Sequence, residues 1–184
     1  GALAATGMAV GLRRLDVDEV PRAALVAAVY FMATLIRIPV GPASTHLVLT
    51  GLMGLLLGWS AFPALGAAML LQTVLFGFGG LTSWGANVLN GALPAVVCFH
   101  LFGGRVRRAA SAPRAFLLAG AAGTLGVLLS GLMLAGTLYL AGGEFLGAAT
   151  AVLLSHIPVL VVEGFVTGAV VSFLFRVHPE TLRR

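Results

Sequence analysis

The chain has 184 residues, 59% of them hydrophobic and 9% charged, with a mean hydropathy of +1.05. No soluble domain carries that balance, so the solvent is lipid and no soluble catalytic unit fits between the apolar runs. The formal charge of +5 rests on eleven arginines without a single lysine, which excludes a P-loop whose lysine reaches the phosphates. The arginines form no extended basic face with interleaved aromatics, which excludes nucleic acid as a partner.

The first apolar segment, from Gly1 to about Leu12, covers only about half to two-thirds of the roughly 20 residues that cross a bilayer. It starts without an initiator methionine, and reads as a truncated first span of a processed chain or of an excerpt from a longer one. It lacks the basic leading region of a signal peptide. A second segment, about Ala23 to Ile38, stops where Pro39, Gly41 and Pro42 prohibit a regular helix. His46 then opens a third segment that runs to about Ser60, with Ser44 and Thr45 placed to cap its first turn. Within it Gly54 and Gly58 form a GxxxG step, which lets helix backbones approach closely in lipid.

Pro63 begins a fourth segment that ends near Phe78, and the glycine-rich loop GFGGLTSWGAN follows. A fifth segment runs from about Gly85 to Phe102 and a sixth from about Ala115 to Ala141. In the sixth, Ala122, Gly126 and Ser130 recur every four positions as a second close-packing stripe. The last segment, about Leu146 to Phe175, is long enough to span with tilt. The expected fold is therefore a single all-α, polytopic membrane domain over residues 1–184, a bundle of about seven transmembrane helices.

Arginines set the expected orientation. Arg13, Arg14 and Arg22 flank one short polar loop, Arg105, Arg107, Arg108 and Arg114 fill another, and Arg176, Arg183 and Arg184 mark the tail. Short basic loops are cytoplasmic. That puts the N-terminus, the His46 turn, the loop of Thr82 to Asn87 and residues Gly142 to Glu144 outside. Arg37, at the outer end of its segment, can snorkel or pair with Glu144. The uncharged turn at Trp59 to Pro63 leaves open a re-entrant pairing of segments three and four.

Few residues in this oil can do chemistry. His46 falls at the external mouth, near Thr82, Ser83, Asn87 and Asn90, and a borderline-soft imidazole there suits a transition-metal ion. A lone histidine is an incomplete site, since useful affinity needs three or four ligands. Asn87 and Asn90, harder donors, read as orienters of the ring. His156 and Glu163 are seven apart and share a helix face, and an ionisable residue inside a span points to an ion or proton path or to a packing role. An intramembrane enzyme built on this pair is the alternative reading, although no second carboxylate lies near and neither H-E-x-x-H nor a serine or cysteine nucleophile motif is present. Cys98 is a lone buried hydrophobe, without a disulfide partner or a thiolate cage.

Three stretches, IPVGPASTHLVLTGLMGLLLGW, LLQTVLFGFGGLTSWGANVLN and SHIPVLVVEGFVTGAVVSFL, in this order and spacing, resemble the CbiM/NikM family. These are the substrate-capture membrane subunits of energy-coupling-factor importers for cobalt and nickel, and the likeness covers essentially the whole chain. It implies a seven-helix protein of the bacterial or archaeal cell membrane that binds Co2+ or Ni2+ as transported substrate, with no cofactor and no ATPase of its own. It implies three protein partners: a transmembrane coupling subunit of CbiQ/NikQ type, a cytoplasmic ATPase of CbiO/NikO type and a small membrane subunit of CbiN/NikN type. It also implies that the ion is held by the N-terminal amine, a histidine at the second position of the mature chain, and the histidine matched by His46. The present sequence has no Met-His start, in keeping with the truncated first span. The residues do not choose between cobalt and nickel, both of which accept imidazole and amine nitrogen.

Overall fold

The computed structural model describes residues 2–35, 37–40, 43–142 and 145–183. Gly41, Pro42 and Glu144 lie outside these, and with Glu144 the expected pairing to Arg37. Among the described residues seven helices have eight residues or more, as the seven apolar segments predict: α1 (Ala2–Arg13), α2 (Val20–Leu35), α3 (Thr50–Leu57), α4 (Ala61–Phe76), α5 (Trp84–Cys98), α7 (Ala112–Ala141) and α8 (Leu146–Val177). Two single-turn helices, α6 (Gly104–Arg107) and α9 (Glu180–Arg183), complete them. The stretches Thr50–Phe76, Trp84–Arg107, Ala112–Ala141 and Gly147–Val177 are long and apolar enough to cross a membrane. Large apolar side chains such as Leu140, Val161 and Phe165 face outward, as they must where lipid is the solvent.

One element departs from the helical expectation. Residues Arg37–Val40 (β1) and Ala43–His46 (β2) pair as an antiparallel hairpin with Arg37 opposite His46. His46 therefore closes a strand rather than opening a helix. The helix begins four residues later, at Thr50, so Ser44 and Thr45 lie in the hairpin and do not cap it. The physical reason is that the β-branched Ile38, Val40 and Thr45 favour extended backbone, and pairing satisfies their main-chain groups where lipid would leave them bare.

α3 is a short helix set inside the bundle. Its eight residues rise about 12 Å, well under half of the ~30 Å hydrocarbon core. It stops at Gly58, whose φ of 55° and ψ of −123° leave the helical region, and a 3-10 turn over Gly58–Ser60 leads into α4. Gly58 thus ends the helix instead of continuing a GxxxG face, and a side chain there would meet the Phe99 ring. Gly54 faces the backbone of Ala95 in α5, while Gly51 faces Ala122 and Gly123 in α7. The stripe in α7 runs along α3: Ala122 is fully buried, Gly126 abuts Gly51, and the Ser130 hydroxyl lies 3.4 Å from that of Thr50.

α7 and α8 form the longest helix pair and run antiparallel. Gly120 meets Gly164, Gly168 meets Phe116, Gly131 meets His156, and the Thr124 hydroxyl donates to the Leu160 carbonyl at 3.1 Å. Cys98 is fully buried, with its thiol 3.3 Å from the Ala122 carbonyl.

Arg14, Arg22 and Arg107 gather at one end, while Arg37 stands in the hairpin at the other. Arg22 Nη2 donates to the Leu56 carbonyl at 2.6 Å, the Arg14 guanidinium lies 5.2 Å from the Trp59 ring centre, and that of Arg107 lies 5.4 Å from Phe99. The turn after α3, which carries no charge of its own, sits among these cations.

Candidate functional site

A cavity of about 470 Å³ opens at the other end of the bundle. α2, α4 and α7 contribute their C-terminal halves to it, α5 and α8 their N-terminal halves, and the β2 exit contributes His46. This alternation is what antiparallel helices produce when one end of the bundle is hollow. His46 from the hairpin, Asn87 and Asn90 from α5, and Ser130 and His156 from the long helix pair all line it. So the structure brings together five polar residues that the sequence scatters over 111 positions.

Both imidazoles are held in the same manner. His46 Nδ1 lies 3.0 Å from the Leu47 carbonyl, and His156 Nδ1 lies 2.7 Å from the carbonyl of Val152, one turn earlier in α8. A carbonyl oxygen only accepts, so each Nδ1 carries its proton, and in the neutral ring Nε2 keeps the lone pair that a metal takes. His46 is exposed and reachable, while His156 is half-buried with its ring against Gly131. Asn90 is buried, and its side-chain oxygen has no hydrogen-bond partner among the described residues, an acceptor left facing the hollow. Asn87 places its amide close to Gly79 on the cavity rim.

Other expected residues fall elsewhere. The Ser83 hydroxyl donates to the Gly79 carbonyl within its own loop, and neither Thr82 nor Ser83 lines the cavity. Glu163 does not line it either. It is fully buried seven residues beyond His156, and its Oε1 accepts the main-chain N–H groups of Val48 and Leu49, the latter at 2.8 Å. His156 and Glu163 are thus engaged by different partners, which removes the contact that an acid–base pair would need.

Sequence reasoning missed Tyr30, Thr34 and Gln72, which line the cavity from α2 and α4. The Gln72 amide donates to the Thr34 hydroxyl, and both residues are buried. A glutamine in the apolar run LLQTVLF was the available signal, because a polar side chain in a span must find a partner or a cavity.

Among the described residues no three of His, Cys, Asp and Glu come together, and no carboxylate lines the hollow. What this geometry offers a cation is imidazole nitrogen supported by neutral amide and hydroxyl oxygens. Residues 1–181 match the family CbiM, described as the cobalt uptake substrate-specific transmembrane region. The chain belongs to the CbiM family. A relative from Haemophilus influenzae, named for metal transport, is 40% identical over 183 residues, spanning 99% of this chain and 89% of its own length. The fused nickel transport protein NikMN of Rhodobacter capsulatus is 32% identical over 196 residues, spanning 94% of this chain and 56% of its own. A solved transition metal transporter superposes with a TM-score of 0.71 at 24% identity, covering 96% of this chain and 86% of that one, which shows a shared fold.

Proposed function

We propose that this protein is the substrate-binding membrane subunit of a Co2+ or Ni2+ importer, and that the outer cavity receives the ion at His46. The observation that carries the reading is His46 itself. It is an exposed imidazole with its proton fixed on Nδ1, at the end of the bundle remote from Arg14, Arg22 and Arg107, in a CbiM-family chain. In this reading the arginine-bearing end is cytoplasmic by the positive-inside rule and the cavity is external. His46 Nε2 donates to the ion, and water or amine nitrogen fills positions that the described side chains leave open. Asn87 and Asn90 line the path and exchange for parts of the hydration shell.

The chain binds its cargo and does no covalent chemistry. Without a lysine it has no Walker-type phosphate loop, so ATP hydrolysis comes from a cytoplasmic ATPase acting through a coupling subunit at the arginine-bearing end. A small membrane subunit of the kind fused in NikMN relatives completes the importer.

Calorimetric titration of the protein in nanodiscs with Ni2+ and Co2+ tests the site. Wild type binds one ion, and His46→Ala lowers affinity at least about tenfold, the loss expected when one nitrogen leaves a small ligand set, with an unchanged melting temperature. Equal affinity in the two proteins removes His46 from the site.

A further inference from the structure

α3 starts in the interior, where water cannot serve its exposed main-chain donors. Thr50 is fully buried and the residues after it through Leu55 are buried as well. No side chain of the chain's own first turn caps the helix. The preceding residue, Leu49, has φ 48° and ψ 17°, the left-handed region. It is the only non-glycine residue with positive φ among those described. A leucine side chain is strained there and persists only where the surroundings hold it.

What holds it is Glu163. Its Oε1 accepts from the N–H groups of Val48 and Leu49, reaching back 115 and 114 residues from the middle of α8. Glu163 is the one charged-type side chain buried in the bundle among the described residues. The segment it grips is the exit of β2, two residues after His46. Losing that grip takes the acceptor from two main-chain donors at the cavity wall, Val48 half-buried and Leu49 buried.

We infer that Glu163 is the positioning residue of the metal site: by binding the main chain of Val48 and Leu49 it sets where His46 Nε2 stands in the cavity. This rests on the reading of His46 as a ligand. The role requires an acceptor oxygen at the reach of a glutamyl side chain. It does not require a negative charge, because a single oxygen takes both bonds.

Two substitutions separate reach from charge. Glu163→Gln keeps an acceptor oxygen at the same distance, and its amide nitrogen replaces Oε2, which has no hydrogen-bond partner among the described residues. Glu163→Asp keeps the carboxyl group and withdraws it by one methylene. Both are measured in the full chain in nanodiscs, with Ni2+ as probe, together with amide hydrogen exchange of the peptide covering residues 46–53 without metal. Glu163→Gln retains wild-type exchange and Ni2+ affinity within about threefold. Glu163→Asp raises exchange at Val48 and Leu49 and weakens Ni2+ at least about tenfold, the range seen when the support of a ligand is lost, while peptides of α7 keep their protection. Wild-type exchange and affinity in Glu163→Asp would overturn the inference, as would a loss in Glu163→Gln equal to that in Glu163→Asp, since charge would then be the operative property. If the wild type binds no Ni2+, or His46→Ala binds as well as wild type, the function reading fails. The metal-free exchange then still decides whether Glu163 holds the segment.

Discussion

The close approach of α3 to α5 gives a sharp energetic test. A Cβ built on Gly54 would press into the Ala95 carbonyl oxygen and lie 2.7 Å from its carbonyl carbon and 3.0 Å from its Cα. The obstacle is main chain, so no rotamer change relieves it. Gly54→Ala therefore has to part the two helices by more than roughly 0.8 Å, the shift that brings the carbonyl carbon to the ~3.5 Å at which carbon atoms rest against each other, because the carbonyl oxygen is nearer still. Overpacking of this kind costs about 1–3 kcal/mol. Gly136, in the body of α7, supplies the control, since nothing lies within 4 Å of a Cβ built there. Gly136→Ala gains the alanine helix preference of roughly 0.8–1 kcal/mol without a clash, and Gly54→Ala gains it with one. At about 2–4 °C per kcal/mol for a chain of this size, Gly54→Ala should melt roughly 2–12 °C below Gly136→Ala in nanodiscs followed by intrinsic fluorescence. A Gly54→Ala protein melting at or above Gly136→Ala would refute the reasoning, because α3 and α5 would then have room between them.

Two further outcomes follow from the opposite ends of the bundle. Ser111→Cys should resist an impermeant maleimide in intact cells and react with it in inverted membrane vesicles, with the fully buried Cys98 silent as background; labelling in intact cells would invert the proposed orientation. Trp59→Leu loses the stack with Arg14 and the 3.2 Å indole bond to His100 Nε2, together about 1–2 kcal/mol. Its melting point should fall by a few degrees while Ni2+ affinity stays within about threefold, and a large loss of affinity would contradict the separation between arginine cluster and cavity.

Much of the architecture is legible in the sequence because lipid imposes simple rules. Apolar length marks the helices, Pro and Gly mark their ends, and Arg14, Arg22 and Arg107 collect at one end of the bundle as their place in the basic loops suggests. The start of α3 was not legible. Reading His46 as the first helical residue used the local rule that Ser or Thr before an apolar run caps a helix. Two donors just ahead of the real start, those of Val48 and Leu49, are met by Glu163, more than a hundred residues away, and no local pattern can announce a bond of that range. The hairpin escaped for a related reason: Pro39 and Gly41 signal an interruption, but pairing of Arg37 with His46 is a matter of register. The candidate site was half visible. His46 and the asparagines stood out by residue type, whereas the arrival of His156 at the same cavity depends on how α7 and α8 lie together.

The short helix α3 also has an electrical consequence. Aligned peptide units give a helix about half a positive charge at its amino end and half a negative charge at its carboxyl end. α3 has a carboxyl group from α8 beside its amino end and a guanidinium from α2 on the Leu56 carbonyl near its carboxyl end. Both poles are matched by side chains borrowed from other helices, across about 12 Å of rod with Gly51 and Gly54 seated against backbone on either side. The short rod thus carries side chains of two other helices, Arg22 on its carboxyl end and Glu163 beside its amino end, and lies between the arginine cluster and the strand that carries His46.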